Sequence, residues 1–238
     1  MRGGEVGRGA IAPAVRPLVV SPGRRPPRPS GRTSASPTNR RTRPPTPLRL
    51  FVALDLPEAA KREIDVWGQG ALADPALRPV PAANLRIVLV YLGYRPEQQV
   101  GWILTAVRDL CDGMASPLVE MRDPESRPAR GRSRLYALPA TSPSAEILHA
   151  SLCEQLSLLR LHEPEERPFW PHVTVARVRP EKRGTRRPMS VERAPTGPLP
   201  PSITQPFWAR SIGLYRSDLH PEGVRHSLLA KVDFLGPE

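Results

Sequence analysis

FWPHVTVARV, residues 169–178, is a run of strand-forming residues with a histidine and a threonine set inside it. Side chains two apart on a strand leave the same face, so His172 and Thr174 stand together while Val173 and Val175 turn to a core behind them. Pro171 fixes the backbone directly before the histidine. Phe169 and Trp170 offer aromatic faces on which a base can stack. Arg177 suits a phosphate, which it can grip through two parallel hydrogen bonds. Strict alternation turns it away from His172, so a bulge or a strand end is needed to bring it round. An imidazole moves protons near neutral pH, and a threonine hydroxyl can hold a phosphoryl oxygen. A His-x-Thr pair by itself is more often plain strand packing than a site.

The neighbouring segments set this strand in an α+β chain. "LRLFVALDL" (48–56) alternates as a strand, and Pro57 sits at the first position of a helix over 57–72. "NLRIVLVYLG" (84–93) is a second strand ending at Gly93. Pro96 opens a second helix with Val100, Ile103, Leu104, Val107, Leu110 and Cys111 in a 3.6-residue stripe, stopped by Gly113. A basic loop, "RPARGRSR" (127–134), leads into the strand "RLYAL". Ser142 and Pro143 cap and open a third helix with Ile147, Leu148, Leu152, Leu156 and Leu159 inward. After the opening strand, residues 180–206 form a long Pro-rich loop, the expected flexible insertion. "ARSIGLYRS" and "HSLLAKVDFL" are the last strands. Strand–helix–strand over 48–93 is echoed over 134–178, a hint of internal duplication.

Charge is unevenly distributed. Residues 1–47 hold ten Arg, ten Pro and six Gly against one Glu, and account for +9 of the formal +12. Such a segment buries too little apolar surface to offset its chain entropy and reads as a disordered tail ahead of a domain at 48–238. A loose polyanion-binding arm, a targeting peptide and an over-extended start site all fit it. Prolines this dense forbid the amphipathic helix of a transit peptide, and "PLVV" is too short for a secretory signal or a membrane span. The body carries only +3, so the charge does not by itself make the body a nucleic-acid binder. Cys111 and Cys153 lack metal-ligand spacing and read as small buried hydrophobes in a reducing cytoplasm.

"RLFVALDLP", "LRIVLVYLG", "RPFWPHVTVARVR" and "LYRSDLHPEG", in this order and spacing, resemble the 2H phosphoesterase superfamily. Within it they are most similar to the bacterial RNA 2′,3′-cyclic phosphodiesterases, also called 2′-5′ RNA ligase-like proteins. The resemblance covers roughly residues 48–235. It implies a two-lobed α+β fold in which pseudo-symmetric antiparallel sheets, with flanking helices, enclose a central cleft. Each lobe supplies one His-x-Thr strand. The first histidine gives a proton to the leaving ribose oxygen, the second takes one from the attacking water, and a 2′-phosphate end results. No metal and no cofactor are implied. The partners implied are RNA ends or cyclic nucleotides, met by a monomer with no membrane association. On the same resemblance Tyr215 and Arg216 line the cleft.

The second motif is intact as His172, Thr174 and the following Arg177. The first is replaced by Arg86, Ile87 and Val88. Alternation still sets Arg86 and Val88 on one face, so the strand survives while its chemistry changes. Arginine keeps its proton up to a pKa above about 12 and cannot act as the acid, though it can neutralise a phosphate or a developing oxyanion. Loss of a general acid typically costs about 10²–10⁴ in rate, roughly 3–5.5 kcal/mol of barrier. Arg86 as a strand-edge charge in solvent is the other reading. His149, His162, His220 and His226 are expected to be structural or merely solvated, and the loop "RGRSR" to contact an RNA backbone or simply face water. A hydrolase of reduced activity is the leading expectation. A binding module using the same cleft without cleavage, a 2′-5′ ligase and a tail-driven polyanion binder are the others.

Overall fold

A computed structural model describes residues 46–195, 198–220 and 223–234. The basic tail, apart from its last two residues, lies outside the described residues. In chain order the elements are β1 (Leu48–Asp55), α1 (Glu58–Ala71), β2 (Leu77–Pro79), β3 (Arg86–Arg95), α2 (Val100–Cys111), β4 (Leu118–Met121), β5 (Glu125–Arg127) and β6 (Leu135–Thr141). They continue with α3 (Pro143–Leu158), β7 (His172–Val178), the single turn α4 (Pro201–Thr204), β8 (Phe207–Trp208), β9 (Ser211–His220) and β10 (Gly223–Asp233).

The strands run β10-β9-β1-β3-β7-β6-β4-β8, with β2 on β7 and β5 on β6, and their pairings are antiparallel. This is the expected α+β architecture of two antiparallel halves. The halves meet where β3 pairs with β7 at Ile87 and Val173, both wholly buried. Each half repeats one unit, a strand, a helix and an antiparallel partner strand: β1–α1–β3 and β6–α3–β7.

β1 departs from the expected alternation. Leu50, Phe51, Val52, Ala53 and Leu54 are all fully buried, because the strand is covered on both faces. Leu50, Val52 and Leu54 join the main core, while Phe51 and Ala53 pack with Tyr215 in a separate small cluster on the other side. The main core lies between the sheet and its helices. Leu148, Leu152 and Leu156 of α3, and Ile103, Val107 and Cys111 of α2, are sealed in it. Ser142 caps α3 by accepting the Ala145 N–H at 3.3 Å. Ile147 and Leu159, expected inward, are 61% and 48% exposed. The stripe at 148, 152 and 156 leaves Ile147 about 100° off that face, and Leu159 lies past the last turn. Pro57 stands one residue earlier than expected, with ψ 145 and its carbonyl accepting the Lys61 N–H, so it precedes the helix instead of opening it.

The Pro-rich segment 180–206 has little regular structure but is fastened to the body. The Asp74 carboxylate accepts backbone N–H groups of Glu192 (2.8 Å) and Arg193 (2.7 Å), Asp123 accepts that of Leu199 (3.0 Å), and Leu199 and Ile203 are buried. Burial of the α3 stripe makes it the natural place to test the core. Leu152→Ala is expected to destabilise the domain by about 2–5 kcal/mol, read as a lowered urea midpoint with an unchanged slope. A loss below about 1 kcal/mol would contradict the packing described.

Candidate active site

Two bulges, one in each half, decide what faces the cleft. β1 pairs Val52 with Val90 and then Ala53 with Val88, skipping Leu89. β6 pairs Tyr136 with Ala176 and then Ala137 with Thr174, skipping Val175. Both extra residues fall one position after the same point, Arg86-x-Val88 in β3 and His172-x-Thr174 in β7. Leu89–Val90 and Val175–Ala176 are in consequence buried in succession. The next residues, Tyr91 and Arg177, are swung round to the side of Arg86 and His172. Arg177 thus reaches the face that strict alternation denied it. A hollow of about 650 Å³ results, lined by Arg86, Val88 and Tyr91 from one half and His172, Thr174 and Arg177 from the other. Arg49, Arg78, Asn84, Ser217, Val224 and His226 complete the polar and apolar wall, with the Pro79–Pro81 segment and Leu135. Among the described residues four guanidiniums face this space, and no carboxylate lines it.

His172 is held in one tautomer. Its Nδ1 lies 2.7 Å from the Trp170 carbonyl, which can only accept, so Nδ1 carries the hydrogen and Nε2 keeps its lone pair. Desolvation pushes the imidazole pKa below its ordinary value. The Trp170 hydrogen bond opposes that shift, and the charges of Arg127 and Arg177 reinforce it. The indole of Trp170 stacks on the imidazole at 4.0 Å and fixes its plane. A neutral, oriented imidazole of this kind is a proton acceptor at neutral pH.

Arg86 is 7% exposed and lies with its guanidinium 3.7 Å over the Tyr215 ring. Its Nη2 donates to the Ala83 carbonyl, while Nε and Nη1 are buried and make no hydrogen bond. Asp55, paired with Arg86 in the β1–β3 register, is already engaged by the Tyr215 hydroxyl and by Ser211 Oγ at 3.3 Å. Desolvation pulls the Arg86 pKa down from its ordinary value, and Tyr215 and Asp55 pull it back up. A buried cation with two free donors costs several kcal/mol unless an anion completes it. Arg86 is therefore no solvated edge charge.

No family model matches the sequence. Two curated relatives do, each called an RNA 2′,3′-cyclic phosphodiesterase. The one from Thermus thermophilus is 27% identical over 195 residues, covering 79% of this chain and 91% of the relative. The one from Escherichia coli K12 is 29% identical over 133 residues, covering 55% and 72%. Among solved structures, TT0787 of Thermus thermophilus superposes with a TM-score of 0.63 at 24% identity, over 80% of this chain and 100% of that one. LigT of E. coli, solved with 3′-AMP, gives 0.59 at 24% identity over 79% and 98%. In sequence and fold the chain is similar to these RNA 2′,3′-cyclic phosphodiesterases.

Other expected contacts within this 2H phosphoesterase fold differ. Phe169 offers no free face to a base, since its ring stacks at 4.0 Å on His149 and packs against the core. Phe169 packs against the main core while His172 lines the hollow, so the two rings serve different sides. Trp170 does not line the hollow. It stands beside it, with His172 against its ring and the Arg127 guanidinium 4.1 Å from the ring centroid. Tyr215 is 6% exposed and lies under the Arg86 guanidinium, outside the residues that line the hollow. Arg216 points away and pairs with Asp218 at 2.8 Å. In the basic loop, Arg127 and Arg134 share a second hollow with Arg167 and Trp170, while Arg132 pairs with Glu181. Among the described residues no three His, Cys, Asp or Glu gather as metal ligands.

Sequence reasoning missed Arg49, Arg78, Tyr91, Ser217 and above all His226. The reading began β10 at His226, whereas the strand starts at Gly223 and pairs His226 with Ser217. That pairing, recoverable by running β10 antiparallel against β9, puts the ring at the cleft. His172 should titrate below 6.5 by NMR, and Arg177→Gln, removing a charge that repels the imidazolium, should move it upward. A ring titrating at or above 6.5 in the parent would contradict the geometry.

Proposed function

We propose that this chain hydrolyses terminal 2′,3′-cyclic phosphates of RNA or nucleotides to 2′-phosphates, more slowly at neutral pH than a relative with two His-x-Thr motifs. The observation that carries the reading is the shared hollow, lined both by His172, whose Nε2 keeps its lone pair, and by Arg86, which has two unpartnered donors. In the mechanism, His172 Nε2 takes a proton from water as its oxygen attacks phosphorus, the bond from phosphorus to the ribose 3′-oxygen breaks, and that oxygen takes up a proton to become the 3′-hydroxyl. Thr174 and Arg177 hold non-bridging oxygens. Arg86 neutralises charge as it builds, a role that needs no proton transfer. Structures of E. coli LigT with 3′-AMP, NADP+ and ATP support a nucleotide-like ligand for this cleft. In this reading residues 48–238 are the catalytic body, acting as a monomer, and 1–47 an extension without a part in the chemistry. No helix of the described residues is long and apolar enough to cross a membrane, and both cysteines are free, which suits a cytoplasmic setting.

A second reading, a binder of phosphorylated ends that does not cleave, is favoured by Arg86 itself, since a guanidinium cannot protonate a leaving group. Hydrolysis of 2′,3′-cyclic AMP separates the two. The parent should turn over about 10²–10⁴ below a two-histidine relative at pH 7, His172→Ala should abolish that rate, and Arg86→His with Val88→Thr should raise it. Full family rates surviving in His172→Ala would overturn the proposal.

A further inference from the structure

We infer that His226 is the second proton-carrying residue of the cleft, facing His172 across the phosphate in place of the imidazole that β3 lacks. The inference rests on the hydrolytic reading and names a catalytic residue within it. His226 lines the same hollow as Arg86, His172 and Thr174. It enters from β10, opposite Ser217 of β9, whereas His172 enters from β7 in the other half. Its ring is held edge-on against Phe51, with centroids 4.8 Å apart, and Nδ1 is buried without a hydrogen-bond partner. A half-buried imidazole set against an aromatic ring and short of a partner is poorly explained by packing alone. Phe51 also sits under Arg86, at 5.9 Å, so one aromatic floor carries both side chains. The family's two roles are thereby divided. Arg86 keeps the charge at the β3 position, and the proton is carried from β10.

The step balances. Protonated His226 gives its proton to the ribose 3′-oxygen as the phosphorus–oxygen bond breaks, and His172 receives one from the attacking water. Solvent then returns a proton from His172 to His226. The charges facing His226 are Arg49 of β1, Arg86 of β3 and Arg177 of β7. With desolvation as the first cause, they push its pKa down to about 4. The ring is therefore mostly neutral at pH 7, and an anionic phosphate must arrive, or the pH must fall, before it is charged. Because His226 has to be protonated and His172 unprotonated, the competent fraction grows as pH drops from 7 toward 5. Activity rises on the acid side.

The test uses the full chain, 2′,3′-cyclic AMP, and the variants His226→Gln, His226→Phe and His172→Ala between pH 4 and 8. The parent should be at least about tenfold faster at pH 5 than at pH 7, and both His226 variants should lose about 10²-fold at pH 5 together with the acid-side rise. In parallel, NMR of the His226 ring should show its midpoint rising by about one pH unit or more when 2′-AMP is added. Variants of His226 that keep the parental rate and pH profile, while His172→Ala is inactive, overturn this inference and leave the hydrolytic reading standing. A midpoint unmoved by 2′-AMP overturns it as well. A parent with no turnover at any pH overturns both.

Discussion

The antiparallel pair Ile87–Val173 is the seam on which the cleft depends. Both side chains are sealed in the core, and the residues flanking them, Arg86 and Val88 on one strand and His172 and Thr174 on the other, are turned to the opposite face. Because the halves touch here through their chemistry-bearing strands, a register slip of one would exchange core for cleft on that strand. The matching bulges at Leu89 and Val175 then repeat the same offset on both sides and deliver Tyr91 and Arg177. Symmetry of the backbone is preserved where symmetry of the side chains is not.

Electrostatics sets the character of the cleft. Arg49, Arg78, Arg86 and Arg177 converge on one hollow, and none forms an ion pair with a carboxylate among the described residues. Such an arrangement is unfavourable in the empty protein and strongly favourable around a phosphate. Desolvation first, and the arginine charges after it, lower the pKa of both cleft imidazoles, His172 and His226. A guanidinium at this place on β3 can neutralise charge but cannot transfer a proton at neutral pH. Tyr215, stacked on Phe51 at 5.3 Å and bonded to Asp55, is the platform that holds the new cation in place.

Much of this was legible in the residues. The alternation of His172 and Thr174, the cap at Ser142 and the Leu148, Leu152 and Leu156 positions of α3 are local signals that hold, whereas Ile147, Leu159 and the doubly covered β1 depend on packing that periodicity does not show. Arg177 was readable only as a need for a bulge, since nothing in the letters says which strand carries the extra residue. Phe169 and Trp170 were read as equivalent aromatics. One lies against His149 on the core side, and the other braces the His172 imidazole. His226 and the arrangement beneath Arg86 depend on pairings between β10, β9, β1 and β3, with sequence separations that periodicity does not reach. The basic tail dominates the net charge, yet the charge that matters is four arginines of the body, invisible in a sum.

The central claim is that the buried guanidinium of Arg86 and the free nitrogen of His172 address one phosphate. A crystal structure of the full chain with 2′-AMP tests it most directly. The account predicts the phosphate within hydrogen-bond distance of Arg86 Nε or Nη1 and of His172 Nε2, with Thr174 and Arg177 on its remaining oxygens. A nucleotide bound elsewhere, with those two donors of Arg86 still unpartnered, would contradict it.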